Sequence, residues 1–239
     1  MRERRNHGIL PGVRADMKTP ARRRTELLLG LTAFYIALWL LWTTLLVFPL
    51  KVFVVLLHEI SHGFAAVVTG GTVDRIVLHA DEGGATYTRG GNAFLILSAG
   101  YLGSLLWGLL LIELAGARAK LARLALAALA IAVLAVAALF VRNTFGFIFT
   151  ALFGAALFIA ARRLSPRGVA IVLLVLGLTS AFYALLDIRS DIFVRPDVES
   201  DARMLAHITG VPTLVWGVIW TAAAVGACWV ALQRWLRRA

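Results

Sequence analysis

The strongest constraint on this chain is its long apolar runs, which argue against a soluble fold. Hydrophobic residues make up 60% of the 239 residues, whereas a soluble domain has roughly 45–50%. Most of the runs approach the roughly 20 residues with which a helix crosses a bilayer. Their approximate bounds are 27–48, 50–69, 93–115, 121–141, 145–161, 169–186 and 211–235. The sequence therefore predicts an all-α polytopic membrane protein with about six or seven transmembrane helices, surrounded by the lipid bilayer.

The basic residues indicate how the chain sits in that bilayer. Residues 1–26 are rich in Lys and Arg and lack the apolar segment of a signal peptide. We expect them to form a disordered cytoplasmic tail, followed by one integral-membrane domain over residues 27–239. The formal net charge of +11 does not indicate a nucleic-acid partner. The cations cluster at the ends of apolar runs, where lipid headgroups and topology explain them better.

A pentad in the second apolar run carries the clearest chemical signal. His58-Glu59-Ile60-Ser61-His62 is an H-E-x-x-H pattern inside an otherwise apolar segment. In a helix, His58 and His62 lie one turn apart and point the same way. Two imidazoles at this spacing can bind one Zn²⁺ ion, with Glu59 beside them as a general base. Ionisable residues at bilayer depth also indicate a functional site by default.

The third zinc ligand must come from elsewhere, because a catalytic zinc usually has three protein ligands. Asp187 is the best candidate, since it ends the sixth apolar run. Asp191 is the second choice, one helical turn further along, and His79 and His207 are further alternatives. We expect the remaining acidic residues of the following loop to be solvated. They are Asp197, Glu199 and Asp201.

The glycine-rich segment after the pentad has a different character. Residues 70–92 contain short β-branched stretches separated by Gly83-Gly84, which predicts a small β-hairpin or re-entrant element. An exposed strand edge there could bind an extended peptide by strand addition. With a cytoplasmic N-terminus and seven crossings, both this element and the pentad would face the cytoplasm. The same count leaves Arg162, Arg163 and Arg234 outside, against the positive-inside rule.

With these features the chain resembles the site-2-protease class of intramembrane zinc metalloproteases, the M50 peptidases. The resemblance is closer to their bacterial M50B-like branch. The shared stretches are HEISHG, the glycine-rich TGGTV…EGGATYTRGG, SAGYLGS, an apolar span ending in LLD, and SDARMLAHITGVPTLVWGVIW. Unlike the better-known members, this chain has Ile188 after Leu186-Asp187, and no Asn-Pro precedes that pair.

The resemblance implies a zinc metalloendopeptidase that cuts membrane-protein or peptide substrates within or beside a bacterial inner membrane. Carried over by position, His58, His62 and Asp187 would bind Zn²⁺, and Glu59 would be the catalytic base. The competing hypothesis is a non-catalytic membrane protein that binds zinc for structure or for a partner. The single cysteine, Cys228, excludes a cysteine-based zinc cluster in either case.

Overall fold

The predicted helical membrane fold with a small β element is confirmed. The computed structural model describes residues 19–194 and 199–238. Its helices are α1 (Pro20–Leu40), α2 (Phe48–Val68), α3 (Ala93–Ala115), α4 (Ala119–Leu139), α5 (Thr144–Arg163), α6 (Pro166–Arg189), α7 (Asp201–Thr209) and α8 (Thr213–Arg238). Strands β1 (Thr72–Leu78) and β2 (Gly84–Arg89) follow α2, and a π-helical turn, Ser190–Val194, follows α6. Within the described ranges, α2 to α6 and α8 are the six helices long and apolar enough to cross a membrane.

The first helix departs from the predicted boundaries. It begins at Pro20, where the Thr19 side chain accepts a hydrogen bond from the Arg22 backbone N–H. The end of the predicted tail, residues 20–26, is therefore helical, while residues 1–18 lie outside the described part. The first apolar run also breaks, because α1 ends at Leu40 and turns separate it from α2.

The two strands form an antiparallel hairpin that lies along α2. Their register pairs Thr72 with Arg89 and Leu78 with Gly84. The hairpin then follows α2 toward its first turn, where Glu82 at the tip forms an ion pair with the buried Lys51. The expected β element is thus packed lengthwise against the helix that carries the pentad.

The outer edge of β1 is covered by the connection between α4 and α5. Ile76 donates to the Phe140 carbonyl at 2.8 Å and accepts from the Arg142 N–H at 3.0 Å. The Asn143 side chain then pairs with both backbone groups of Leu78, donating at 2.6 Å and accepting at 3.1 Å. A backbone edge in an apolar setting needs such partners. In the part of the chain that the structure describes, the outer edge of β2 has no comparable backbone pairing.

Glycines allow the two most closely packed helices, α3 and α6, to approach. A side chain at Gly108 would meet the Gly177 carbonyl oxygen and the Ala181 backbone, and one at Gly177 would meet α3. This is small-residue packing of the kind common between membrane helices. Together with the first half of α2, these helices and the α4–α5 pair form the main apolar core.

Replacing Asn143 with Ala should destabilise the fold by about 1–3 kcal/mol, because the Leu78 N–H and carbonyl both lose their partner. Thermal unfolding in detergent would measure the effect. The matched control is the neighbouring exposed Thr144→Ala, which should stay within about 0.5 kcal/mol of the parent chain. Equal stability of the two variants would contradict this account of the β1 edge.

Candidate metal centre

Helix α2 presents the pentad as the spacing predicts. The His58 and His62 rings stand nearly edge to face, with centroids 4.7 Å apart. Glu59 and His62 are buried and His58 is partly buried. The structure therefore brings the two imidazoles together on one side of the helix, deep in the protein.

The carboxylate that meets both imidazoles belongs to Asp201, the first residue of α7. Its Oδ2 atom lies 3.0 Å from His58 Nε2 and 3.1 Å from His62 Nε2. One ligand atom from each of the three residues lies within 4.8 Å of the others, so the group could hold a metal ion. The expectation that Asp201 is solvated is wrong, because its side chain is only 9% exposed.

The local sequence of α7 explains why Asp201 is buried. Ser200 caps the helix by accepting from the Arg203 N–H at 3.3 Å. Ala202 and Leu205 then pack into an apolar cluster with residues of α3, α6 and α8. The Ser-Asp pair and the apolar residues after it are the sequence signals of this helix. They show that a helix starts at Asp201, but not where it docks.

Electrostatics at Asp201 favour the ionised carboxylate. Burial by itself would raise the pKa of Asp201, but the neighbouring His62 and His58 side chains outweigh it. The net result holds the pKa of the Asp201 carboxyl well below its usual range. An ionised carboxylate is the form that can ligate a cation.

Asp187, the predicted third ligand, lies on the other side of His58. Its Oδ2 atom is 3.7 Å from His58 Nδ1, and it is not one of the three residues of the close group. Asp191 accepts a hydrogen bond from the Tyr101 hydroxyl at 2.6 Å. The other two alternatives, His79 and His207, are exposed and also lie outside the group.

The tautomer of His62 suits metal binding. Its Nδ1 lies 2.7 Å from the Ile96 carbonyl oxygen. A carbonyl can only accept, so Nδ1 must carry a proton. Nε2, which contacts Asp201, is then the nitrogen that would give up its proton and bind a metal ion. Metal-binding histidines usually donate their second nitrogen to such an acceptor. Two imidazoles and one carboxylate also form a common donor set for a catalytic Zn²⁺, so the residues present fit this ion.

Glu59 is held beside the two histidines by the hairpin. The Thr86 hydroxyl lies 2.8 Å from Glu59 Oε2 and 2.9 Å from its carbonyl oxygen, and can donate to either. A side chain at Gly84 would lie 2.7 Å from Glu59 Oε1, so this strand position needs glycine. The hairpin therefore fixes the position of the carboxylate that the sequence assigns as a base.

Tyr101 connects the histidines to the end of α6. Its ring meets that of His58 edge to face at 5.3 Å and packs against Trp220 at 4.9 Å. Through its hydroxyl it also holds Asp191 in the π-helical turn. The residue is fully buried, so the SAGYLGS stretch contributes a structural contact to the site as well as close helix packing.

Comparison with known proteins gives one match. The model of the family described as Peptidase M50B-like matches residues 31–231, most of the chain. The chain belongs to the M50B-like family. The matched region contains the pentad, the hairpin and Asp201. No curated protein and no solved structure matches this M50B-like chain.

Adding a methyl group at position 100 should push apart the side chains that form the metal group of this M50B-like protein. A Cβ on Gly100 would lie 2.7 Å from Asp201 Oδ2 and closer still to His58 Nε2, so both side chains would have to move. We expect Gly100→Ala to weaken Zn²⁺ binding at least about tenfold, roughly 1.4 kcal/mol, measured by competition with a chelator. Gly226→Ala in α8 meets nothing within 4 Å and should bind like the parent. Unchanged affinity in Gly100→Ala would contradict the close packing of this group.

Proposed function

We propose that this M50B-like protein is an intramembrane zinc metalloprotease that hydrolyses peptide bonds of membrane-protein substrates within or near the bilayer. The observation that carries the proposal is the buried group of His58, His62 and Asp201 with Glu59 beside it. Ionisable side chains are costly in an apolar setting and rarely assemble there without a function. The family match supports a peptidase.

The proposed zinc ligands are His58, His62 and Asp201. Asp201 takes the third place because its Oδ2 atom contacts both Nε2 atoms. Asp187 remains the predicted alternative, and its place beside His58 Nδ1 also suits a carboxylate that orients this imidazole. Zinc bound there would supply a Lewis acid that polarises the scissile carbonyl and makes water a better nucleophile.

Glu59 is the proposed general base. Its carboxylate takes a proton from the attacking water and returns that proton to the leaving amine. Thr86 donates to Glu59 and so orients the carboxylate while leaving its other oxygen available. Burial of Glu59 keeps bulk water from competing for its lone pairs.

The substrate we propose is an extended segment of a membrane protein that adds to the outer edge of β2. This edge has no backbone partner among the described residues, and it belongs to the strand that contacts Glu59 through Gly84 and Thr86. Strand addition would present the peptide backbone in the extended form that a protease needs.

The proposed location is the bacterial inner membrane, with the N-terminus in the cytoplasm. Six of the described helices are suited to crossing a bilayer, and the basic residues before α1 favour the cytoplasmic side.

The choice between Asp201 and Asp187 can be tested by zinc binding. Purified parent protein should hold about one zinc per chain. Asp201→Ala should lose stoichiometric zinc, whereas Asp187→Ala should keep it with roughly 10–100-fold weaker affinity. Exposed Glu199→Gln is the matched control. The reverse order of the two aspartate variants would identify Asp187 as the ligand.

Glu59→Gln should keep zinc and lower cleavage by roughly 10²–10⁴-fold, because the amide cannot take a proton. The measurement uses a fluorescently labelled single-span protein reconstituted with the enzyme in proteoliposomes. Zinc retention with unchanged cleavage would reject Glu59 as the base. A protein that binds zinc and shows no cleavage in any form would favour a structural or partner-binding zinc site.

A further inference from the structure

The contacts between helices show which helix termini lie together on one side of the bundle. Contacts of Gly108 with Ala181, and of Gly177 with Ile112, make α3 and α6 antiparallel. Tyr101 packs on Trp220, while α3 and α8 residues further along their helices share a second cluster, so α3 and α8 are parallel. The ends of α3 and α8 and the start of α6 therefore lie together.

The remaining helices extend this end. Arg123, near the start of α4, donates hydrogen bonds to the carbonyl oxygens of Ala161 and Leu164 at the end of α5. Near the start of α1, Arg24 donates to the Leu236 carbonyl at 2.9 Å, close to the end of α8. We call this the basic end: the starts of α1, α4 and α6 and the ends of α3, α5 and α8.

Cations dominate the basic end. The two connections there, α3–α4 and α5–α6, and the helix turns beside them carry exposed or half-exposed Arg118, Lys120, Arg123, Arg162, Arg163 and Arg167. The start of α1 adds exposed Arg22 and Arg24, and the end of α8 adds exposed Arg234 and Arg237. The carboxylates among the residues described there are Glu26, which pairs with Arg22 at 3.2 Å, and Glu113 in the last turn of α3.

The metal group lies toward the opposite end. His62 contacts Ile96 in the first turn of α3, and His58 contacts Asp187 in the last turn of α6. The hairpin is also there, bonded to the connection between α4 and α5. In the hairpin, Asp74 pairs with Arg89 and Glu82 pairs with Lys51. The other described acidic residues here, Asp81, Asp187, Asp191, Glu199 and Asp201, are at least as many as the basic Arg75, Arg142, Arg189 and Arg203, so the described part of this end has no excess of cations.

We propose that the basic end rests on the anionic phospholipid headgroups of the cytoplasmic leaflet and that the metal group opens toward the opposite, extracytoplasmic side. Cationic loops concentrate on the cytoplasmic side of membrane proteins, where Lys and Arg side chains are attracted to the anionic lipid surface. This orientation keeps the predicted cytoplasmic N-terminus. It places the pentad and the hairpin on the extracytoplasmic side, whereas seven crossings predict the cytoplasmic side. Seven crossings would place the start of the first apolar helix and the end of the last on opposite sides, whereas Arg24 of α1 and Leu236 of α8 are in contact.

Single-cysteine labelling tests this orientation. Cys228→Ala removes the only cysteine, and a new cysteine then replaces exposed Ala80 or His207 at the metal end, or exposed Ala119 at the basic end. A membrane-impermeant maleimide on spheroplasts should label Ala80→Cys and His207→Cys at least about tenfold more than Ala119→Cys. Permeabilisation should then make all three label equally. Labelling of denatured samples confirms that each thiol is present.

The reverse pattern, or equal labelling of both ends before permeabilisation, overturns the proposal. If Ala80→Cys fails to accumulate, His207→Cys decides alone. As a test of cause, Arg162→Glu with Arg163→Glu should reduce the fraction of chains in the expected orientation. The control, Arg75→Glu with Arg89→Glu, changes the same charge at the metal end and should not reduce it. Labelling requires neither zinc nor cleavage, so this result is independent of the proposed protease activity.

Discussion

The contact between Asp201 and the two imidazoles of α2 is the interaction around which the rest of the site is arranged. It joins residues 143 positions apart, His58 and Asp201, in a bundle whose other contacts are mostly apolar. Burying a carboxylate without partners would be costly, and the two histidines offset that cost. Gly100 leaves the space in which His58 and Asp201 meet, and the Ile96 carbonyl fixes the orientation of His62. A bound metal ion would take the place of the direct contacts between Asp201 and the two imidazoles.

The hairpin couples the stability of the fold to the chemistry of the site. Strand β1 buries Ile76 and Leu78, so the backbone polar groups of these residues need partners. The connection between α4 and α5 satisfies β1, with Asn143 acting as one more strand residue. This fixes β2 against α2, where Gly84 and Thr86 position Glu59. In the proposed function a peptide adds to the outer edge of β2, because the outer edge of β1 is already paired among the described residues.

The bundle has two chemically different ends, and this asymmetry follows from the chain path. The described cations lie in and beside the α3–α4 and α5–α6 connections, at the start of α1 and at the end of α8. The helix directions bring these positions to one side. The polar site is assembled where the helices meet the hairpin and α7. A protein with this distribution has a strong electrostatic preference for one orientation, independent of any reaction at its site.

The apolar runs and the pentad determine much of this protein on their own. Length and periodicity predict the membrane helices, and the spacing of His58 and His62 predicts their common face, since both are local consequences of helix geometry. The glycine-rich segment likewise predicts a hairpin. Only the tertiary structure places Asp201, because the chain after α6 can dock a carboxylate near His58 in several ways, and Asp187 is the one that local reasoning favours. The structure brings both acids to His58 but only Asp201 to both imidazoles. The structure also places the start of α1 beside the end of α8. A count of apolar runs cannot show this, because it does not tell which helices pack in parallel.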